Sequence, residues 1–418
     1  MKLQTLQLPA RLEGSLAAGH PWVYRDHVPV GTALPDGAWV RVAAGRTTAL
    51  GLWAAAGAIA VRVVRRGAEP DVLTPPDRAW VEATVGRALH LRANLEAAGS
   101  DAYRLLYGEG DGLPGLTVDR YGRFAVLQAY AAGYRRADSD AAALQREVVL
   151  ALTRALPLKG VLATPGGGEP LQVLWGEGPP AELTVREHGL RFLANLFVGQ
   201  KTGLFLDHRE HRALVRAHAR DRRVANLFAY SGAFSVYALA GGAARAIDVD
   251  LAAAALRDAE RNVAANADVI GADAGARHAT LRRDLLHDPA AALAEPAVAG
   301  SDLIVLDPPS LARHKGQRHG ALRAYRRLNA AALAALPAGG LLATASCTAQ
   351  VSPEAFRSVL AEAAGEARVE AQVLHESGHA LDHPVPLAFP EGRYLKFVLL
   401  RVTQPRRGAP SATAGARR

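Results

Sequence analysis

Residues 224–267, VANLFAYSGAFSVYALAGGAARAIDVDLAAAALRDAERNVAANA, decide the predicted fold. A short apolar run leads into a glycine-containing turn and a helical pattern, and a second apolar run leads into a second helical pattern. Farther along the chain, DLIVLDPPS (302–310), a helical segment and GLLATAS (340–346) continue the alternation. Strands that alternate with helices of this length are typical of a mostly parallel, doubly wound α/β sheet, whose ligand lies beyond the carboxyl ends of the strands.

The rest of the sequence predicts further domains. Residues 1–75 alternate short apolar runs with Gly, Pro and Asp, as a small β-barrel does. Residues 76–100 have helical periodicity and predict a linker helix, and residues 101–183 combine a hairpin, a helix and more strands into a small central α+β domain. We expect the doubly wound domain to span residues 184–402 and residues 403–418 to form a disordered tail. The sequence therefore predicts a multidomain α/β protein.

The formal net charge is +9, the isoelectric point is near 9.9, and almost all basic residues are arginine. Arginine binds phosphates bidentately and stacks on bases, which favours a nucleic-acid partner. A GC-rich genome would produce the same arginine excess, so charge alone leaves both interpretations open. A single cysteine excludes an internal disulfide, and neither a secretory signal nor an apolar stretch of membrane-spanning length is present. We therefore expect a cytoplasmic protein with no membrane segment.

Acidic residues follow successive predicted strands of the doubly wound domain. The turn at Gly232 lacks the GxGxxG pattern of a phosphate cradle, but its glycine allows backbone to approach a ligand at a helix N-terminus. Asp248, near the end of the second strand, is the predicted ligand of both ribose hydroxyls. Asp250 could do the same or cap the next helix. Asp284, after the third strand, offers a carboxylate to an adenine amino group, so the pattern favours a nucleoside pocket.

Two further features lie at the same predicted sheet edge. In DLIVLDPPS, two prolines fix an extended corner that presents Asp307, an arrangement suited to positioning a flat base. Cys347, the only cysteine, follows the next strand. Free cysteine is often only a small buried hydrophobe, but a thiolate at this edge could add to an electron-poor ring carbon. This position favours a nucleophile over a packing residue.

These residues occur in motifs that resemble one known family. The similar segments are RLEGSLAAGHPWVY, EGDGLPGLTVDRYG, GQKTGLFLDHREHR, NLFAYSGAFSVYA, AIDVD, DPPS, ASCT and DHPVPLAFPEGRYLKF. The chain resembles the S-adenosylmethionine-dependent large-subunit (23S) ribosomal RNA methyltransferases that join an RNA-binding PUA domain to a Rossmann-like class I methyltransferase domain and make 5-methylcytosine. The resemblance covers nearly the whole chain.

The resemblance implies the roles of individual residues. It implies Cys347 as the nucleophile and Asp307 beside the target cytosine, and it places GQKTG and the turn at Gly232 on the cofactor. The expected contacts to S-adenosylmethionine come from Gln200, Lys201, Thr202, Gly203, Asn226, Phe228, Tyr230, Ser231, Gly232, Asp248, Asp284, Asp307 and Pro308. The expected contacts to RNA come from Pro309, Ser310, Lys315, Trp22 and Arg25, although Trp22 beside a proline also fits a core position.

The implied chemistry is covalent. Attack of the Cys347 thiolate on cytosine C6 makes C5 nucleophilic enough to accept a methyl group, and an acid at N3, which suits Asp307, stabilises the charge in the ring. Many RNA cytosine-C5 methyltransferases carry a second cysteine after the corner; this chain has none, so the base for the last step is unassigned.

Other functions and partners stay open from sequence alone. Guanine-N2 or another amino methylation could use the DPPS corner without an adduct, and an RNA-binding assembly factor could keep the fold with a degenerate pocket. The expected partner is 23S ribosomal RNA or a large-subunit precursor, with no metal ion, and the sequence permits a homodimer.

Overall fold

The computed structural model describes residues 3–67, 73–164, 171–197 and 203–405. The chain forms two compact units. The first unit contains Met1–Gly189, Ala194–Asp207 and Leu381–Gly392, and the second contains Leu190–Leu193, His208–Ala380 and Arg393–Arg418.

The first unit begins with a small sheet that matches the predicted β-module. Its elements are β1 (Thr5–Gln7), α1 (Glu13–Ala18), β2 (Trp22–Tyr24), β3 (Trp39–Ala44), β4 (Thr47–Trp53) and β5 (Ile59–Gly67). The five strands pair in the order β1-β3-β4-β5-β2. Apolar side chains such as Val40, Val42 and Val61 are fully buried in its core. The expected PUA-like architecture is present.

The predicted single linker helix is two helices, α2 (Arg78–Leu91) and α3 (Ala93–Ala97). The predicted start is correct, because the Asp77 carboxylate accepts a hydrogen bond from the Trp80 amide at 2.8 Å. The helix breaks at Arg92, whose side chain is buried. Its guanidinium donates two hydrogen bonds to the Asp111 carboxylate, at 3.0 and 2.7 Å, and one to the Arg104 carbonyl at 2.6 Å. A buried charge must be paired, so these contacts fix the break.

A second five-stranded sheet follows in the first unit. Its elements are β6 (Ala102–Tyr107), β7 (Leu116–Tyr121), β8 (Phe124–Ala129), α4 (Asp140–Ala155), β9 (Gly160–Thr164) and β10 (Gln172–Gly176). The strand order is β10-β9-β8-β7-β6, and β7 and β8 form the predicted hairpin. Ser139 caps α4 by accepting a hydrogen bond from the Ala142 amide at 3.0 Å.

The two sheets of the first unit share one hydrophobic core. Trp39 and Leu50 of the first sheet belong to the same buried cluster as Leu105 and Val118 of the second, and α2 contributes Val81. The boundary predicted near residue 100 therefore does not separate two cores. Sequence periodicity shows which residues of an element are buried, but not which other element covers them.

The segment 381–392 returns to the first unit, although the sequence assigned it to the catalytic domain. The Asp382 carboxylate accepts a hydrogen bond from the Arg104 amide at 2.8 Å, and its carbonyl accepts one from Arg92 at 2.7 Å. The Phe389 ring packs edge-on against Trp22, with ring centroids 4.5 Å apart. These polar and aromatic contacts join positions far apart in sequence, so local patterning could not reveal them.

Two short strands, β11 (Leu183–Glu187) and β12 (Leu190–Ala194), lie where the chain passes between the units. The second unit then continues with α5 (Arg209–His218), β13 (Arg223–Leu227), α6 (Ala233–Ala240), β14 (Arg245–Asp250), α7 (Ala253–Ala264), α8 (Ala267–Ile270), α9 (Ala274–Arg277) and β15 (His278–Arg282). Its remaining elements are α10 (Pro289–Ala294), β16 (Leu303–Leu306), α11 (Arg318–Ala335), β17 (Leu341–Ser346), α12 (Pro353–Glu366), β18 (Val369–Ser377) and β19 (Lys396–Pro405).

These strands form a seven-stranded sheet in the order β15-β14-β13-β16-β17-β19-β18. The first five are parallel, and β19 and β18 pair antiparallel at one edge, which confirms the predicted mostly parallel doubly wound fold. β19 runs to Pro405, so the boundary predicted at residue 402 falls inside this strand. Strand order reverses between β13 and β16, and ligands of such sheets bind at this switch point.

Helices cover the sheet. α10, α11 and α12 bury residues such as Leu293, Tyr325 and Phe356 in one core cluster with the sheet, while α6 and α7 pack against β13 and β14 outside that cluster. Among the described residues, no helix is both long enough and apolar enough to span a membrane.

Candidate active site

The turn between β13 and α6 has an unusual backbone. Phe228, Tyr230 and Gly232 have positive φ angles of 58°, 49° and 73°. A Cβ on residue 232 would lie 2.5 Å from an Asp248 carboxylate oxygen and 2.6 Å from the Ala259 Cβ. Glycine is therefore required at 232 by both its φ angle and its packing. Non-glycine residues at positive φ cost free energy and concentrate at functional sites, so the turn is a candidate ligand-binding element.

Hydrogen bonds hold this turn in place before any ligand binds. The Tyr230 amide donates to the Asp250 carboxylate at 2.9 Å, and the Ser231 carbonyl accepts from the Asn262 side chain at 2.9 Å. Asn226, at the end of β13, is buried and donates to Asp248 at 2.7 Å. The turn is thus tied to β14 and to α7.

Asp248 is a structural residue, which corrects the prediction that it binds a ribose. Its side chain is 0% exposed. Besides Asn226, its carboxylate accepts a hydrogen bond from the Ser235 hydroxyl at 2.6 Å and pairs with His278 Nε2 at 2.8 Å. These partners join β13, α6, β14 and β15. The sequence did not reveal this role, because it depends on side chains that meet only in the folded sheet.

Asp250 takes the position at the strand end that the sequence assigned to Asp248. It is the last residue of β14 and is partly exposed. One of its oxygens accepts from Tyr230 and the other from the Ala252 amide at 2.9 Å. Both the capping and the ligand alternatives for this residue are compatible with that geometry, because each carboxylate oxygen has a further lone pair.

Asp284 follows β15 at the same edge and is exposed. Its Oδ1 accepts hydrogen bonds from the Leu286 and His287 amides at 3.0 and 3.1 Å. Within the described residues no hydrogen bond reaches its Oδ2, which leaves an acceptor for a ligand amino group. Its place is the one that the sequence predicted.

The two aspartates of β14 should differ when each is changed to asparagine: one change should mainly lower the stability of the protein, and the other should mainly weaken cofactor binding. Asp248→Asn removes a buried ion-pair partner and should lower the free energy of unfolding by about 3 kcal/mol. Asp250→Asn should cost only about 1 kcal/mol of stability but weaken S-adenosylmethionine binding at least ~10-fold, because a charged acceptor is lost. Thermal unfolding and titration calorimetry on both variants measure this; equal effects of the two changes on cofactor affinity would refute the assignment.

Asp307 lies directly after β16, at the switch point. Its side chain is 21% exposed, and its Oδ2 lies 3.4 Å from Nε2 of His208, whose side chain is only 3% exposed. His208 Nδ1 lies 2.9 Å from His211 Nδ1, and His211 Nε2 lies 3.2 Å from the Ser377 hydroxyl. This buried chain of side chains orients the Asp307 carboxylate. Sequence reasoning missed both histidines, although they stand in the LDHREHR segment.

Cys347 follows β17, which is the neighbour of β16 in the sheet. It is partly buried, and its Sγ lies 3.9 Å from the Pro308 carbonyl oxygen, in the corner that follows Asp307. The next residue, Thr348, is fully buried; its Oγ1 lies 2.8 Å from the Tyr325 hydroxyl and accepts from the Leu311 amide at 3.0 Å. The structure therefore brings the thiol and the Asp-Pro-Pro corner together, as predicted.

A buried lysine, Lys396, lies beside this segment and was not predicted. It pairs with Ser346 across the antiparallel β17–β19 ladder, and its Nζ donates to the Thr348 carbonyl at 2.7 Å. Its only early signal was its place in the RYLKF segment of a chain with few lysines.

The remaining predicted RNA-binding residues have different surroundings. Pro309 and Ser310 are exposed at the corner, and Lys315 is exposed in a short 3-10 helix. Trp22 and Arg25 belong to the first unit. Trp22 is half-buried and not fully enclosed in the core, and its indole N–H donates to Glu109 at 2.7 Å.

The Arg25 side chain makes its contacts within the first unit. Its guanidinium donates to the carbonyls of Gly57, at 2.9 Å, and Ala54, and lies over the Trp53 ring at 5.0 Å from the centroid. The side chain is partly exposed, and its contact with RNA stays a prediction. Gln200, Lys201 and Thr202 lie outside the described residues, and Gly203, with a φ of 98°, belongs to the first unit.

The residues at the carboxyl end of the sheet fit S-adenosylmethionine. Asp250 and Asp284 present acceptors suited to ribose hydroxyls and an adenine amino group, and the turn at Gly232 supplies close-approaching backbone. Among the described residues, no group of three or more His, Cys, Asp or Glu side chains could hold a metal ion.

Comparison with known proteins supports this interpretation. Residues 170–384 match the family of S-adenosylmethionine-dependent methyltransferases, and residues 6–66 match the PUA-like domain family. The structure resembles SMU.776, a methyltransferase structure with bound SAH, with 22% identity and a TM-score of 0.80 over 96% of this chain and 100% of that one. It also resembles a S-adenosylmethionine-dependent methyltransferase from Streptococcus mutans, with 21% identity, a TM-score of 0.77 and the same coverage. At these identities the likeness shows the fold.

Sequence relatives are closer. The ribosomal RNA large subunit methyltransferase of Deinococcus radiodurans is 38% identical over 415 residues, covering 95% of this chain and 97% of the relative. The ribosomal RNA large subunit methyltransferase I of Erwinia tasmaniensis is 36% identical over 412 residues, covering 93% of this chain and 97% of the relative. The chain therefore belongs to the S-adenosylmethionine-dependent methyltransferases with a PUA-like domain that include the ribosomal RNA large subunit methyltransferases, and its cofactor is S-adenosylmethionine.

Proposed function

We propose that this protein methylates C5 of a cytosine in 23S ribosomal RNA through a covalent adduct between Cys347 and C6 of the base. The observation that carries the proposal is the placement of Cys347 at the carboxyl end of β17, with its sulfur 3.9 Å from the carbonyl of Pro308 in the corner beside Asp307. A nucleophile and an acid at one sheet edge, next to candidate nucleoside ligands, are the groups that this reaction needs.

The chemistry follows from what each group can do. Cytosine C5 is a weak nucleophile until a thiolate adds to C6 and converts the C5–C6 double bond into an enamine-like carbon. Asp307, partly exposed and oriented by His208, provides the proton or hydrogen bond at N3 that stabilises negative charge in the ring. S-adenosylmethionine supplies the methyl group as an electrophilic sulfonium. Loss of the C5 proton then expels Cys347.

The cofactor contacts come from residues of the same edge. We assign the ribose hydroxyls to Asp250 and the adenine amino group to the free Oδ2 of Asp284. The backbone at Tyr230 and Gly232 is fixed by its contacts to Asp250 and by packing on Ala259, so little conformational freedom is lost when the cofactor binds.

An RNA substrate is supported by three observations. The relatives carry ribosomal RNA in their names, the N-terminal module belongs to the PUA-like domains, and the chain has a net charge of +9 dominated by arginine. A base inside structured RNA must be turned out of its stack to reach a cleft of this kind. Action in the cytoplasm, on 23S RNA or a large-subunit precursor and with a homodimer permitted, belongs to the same proposal.

The alternative is amino methylation, in which the Asp-Pro-Pro corner positions an exocyclic amine and no adduct forms. The exposed Pro309 at that corner is the observation that favours it. In that reaction Cys347 would have no chemical role.

A trapping experiment separates the two reactions. Ribosomal RNA that contains 5-fluorocytosine, incubated with S-adenosylmethionine and the protein, should form a complex that survives denaturation, because fluorine cannot leave C5 as a proton does. Gel electrophoresis with labelled RNA detects the complex, and Cys347→Ala is the control that should form none. Methylation of ordinary RNA that persists in Cys347→Ala, with no adduct in either protein, would establish amino methylation instead.

A further inference from the structure

Lys396 is a buried cation in the second unit without a carboxylate partner. The residue is 3% exposed. Its Nζ donates to two carbonyl oxygens, those of Thr348 at 2.7 Å and Tyr394 at 2.8 Å. Within the described ranges no Asp or Glu forms an ion pair with it, and the third N–H of the ammonium has no acceptor. Burying an ammonium with only neutral partners is costly, so a nearby anion is expected.

The position of Lys396 points to Cys347 as that anion. Ser346 is its partner in the β17–β19 register, and the Thr348 carbonyl accepts its hydrogen bond, so Lys396 contacts the residues on both sides of Cys347. Burial lowers the pKa of Lys396 to about 8, while a negative charge on Cys347 acts in the opposite direction and raises it. The strand register and the hydrogen bond to Thr348 place Lys396 beside the segment that carries Cys347, and the electrostatic effect on the Lys396 pKa agrees with that placement.

We propose that Lys396 is the residue that holds Cys347 as a thiolate. With Nζ held as an ammonium, the Sγ proton is lost to solvent, which leaves a thiolate–ammonium pair ready to attack C6. The role of this pair in catalysis rests on the proposed function. The pair itself is a property of the free protein and can be tested without RNA. Lys396 is a positioning residue for the nucleophile, since its contacts are to the protein backbone around Cys347.

Other titratable groups lie on the neighbouring elements that the structure describes. Burial raises the pKa of Tyr325 well above its usual range, so this phenol on α11 stays neutral and donates no charge. Asp307, after β16, precedes the Pro308 carbonyl that contacts the Cys347 sulfur, and only its ionised form opposes a thiolate. On the other side, His379 accepts a hydrogen bond from the Leu395 amide at 3.2 Å and packs on the Tyr394 ring. Lys396 is thus the cation that the described contacts place beside the Cys347 segment.

The single cysteine makes the test specific, because every thiol signal comes from Cys347. The rate of iodoacetamide alkylation, followed by mass spectrometry against pH without RNA or cofactor, reports the thiolate. In wild type the midpoint should lie about one unit or more below the ordinary thiol value of ~8.5. Lys396→Met should raise the midpoint to ~8.5 or above and lower the alkylation rate at pH 7, because less thiolate is present. The fall should be only about 3- to 10-fold, because the thiolate of a less acidic thiol is intrinsically more nucleophilic.

Two variants serve as controls. Lys396→Arg keeps the charge and should keep the low midpoint, while Lys159→Met removes an exposed lysine of the first unit and should match wild type. Should Lys396→Met not fold, ultraviolet titration of the wild-type thiolate, with Cys347→Ser as the blank, gives the same midpoint without it. A wild-type midpoint at ~8.5 or higher, or a Lys396→Met profile identical to wild type, would overturn the proposal. A low alkylation midpoint of Cys347, together with no adduct on 5-fluorocytosine RNA, would support the thiolate–ammonium pair and contradict only the proposed cytosine reaction.

Discussion

Cys347→Ser is expected to lower the rate of RNA methylation by at least about 10,000-fold, the largest effect of any single substitution in this chain. That factor corresponds to about 5 kcal/mol in the activation barrier. A serine hydroxyl has the same shape, but it is hardly ionised at neutral pH and is a far weaker nucleophile toward C6. Transfer of radiolabelled methyl groups to 23S RNA under single-turnover conditions measures the loss.

The loss must be one of chemistry and not of folding. Cys347 is only partly buried, and its sulfur makes a long 3.9 Å contact to the Pro308 carbonyl, so a hydroxyl fits without a cavity of any size. The variant should therefore unfold within a few degrees of wild type and bind S-adenosylmethionine with unchanged affinity in calorimetry. A variant that binds cofactor normally and still methylates at more than a hundredth of the wild-type rate would rule out the covalent route.

The alternation of strands and helices predicted the second unit well, because periodicity is a local property. The strand ends at Asp307 and Cys347 follow from it, since apolar runs end where the chain leaves the sheet. The assignment of the ribose to Asp248 was also based on this local periodicity alone. In the sequence, Asp248 and Asp250 are two residues apart on one strand and therefore point to the same face of the sheet, and only the partners Asn226, Ser235 and His278 show that Asp248 is the enclosed one.

The parts that sequence could not predict depend on contacts between distant segments. Lys396 is adjacent to Cys347 only because β19 inserts antiparallel beside β17. His208 becomes a partner of Asp307 only when the start of α5 lies beside the end of β16. Residues 381–392 leave the second unit because Asp382 satisfies the amide of Arg104. In each case the sequence shows a polar residue, but the partner that this residue contacts is defined only by the folded structure.

Asp307→Asn is expected to lower the methylation rate by about 100- to 10,000-fold, the range typical of a lost acid–base group. Asparagine keeps the shape and can still donate a hydrogen bond to N3, but it cannot deliver a proton. Its neutral amide also replaces the carboxylate oxygen that lies 3.4 Å from His208 Nε2. Because N3 protonation stabilises the adduct itself, trapping of 5-fluorocytosine RNA should slow by a similar factor, which single-turnover gel assays measure.

A matched variant separates this effect from a general loss of negative charge. Asp302→Asn changes an aspartate that precedes β16 at its opposite end, where Oδ1 accepts a hydrogen bond from the Arg223 amide at 2.9 Å that asparagine can also accept. It should methylate at the wild-type rate. The alkylation midpoint of Cys347 should fall slightly, if at all, in Asp307→Asn, because removing a nearby anion favours the thiolate. An adduct that forms at the wild-type rate in Asp307→Asn would mean that N3 receives its proton from another group, and the role of the corner would then be to position the base.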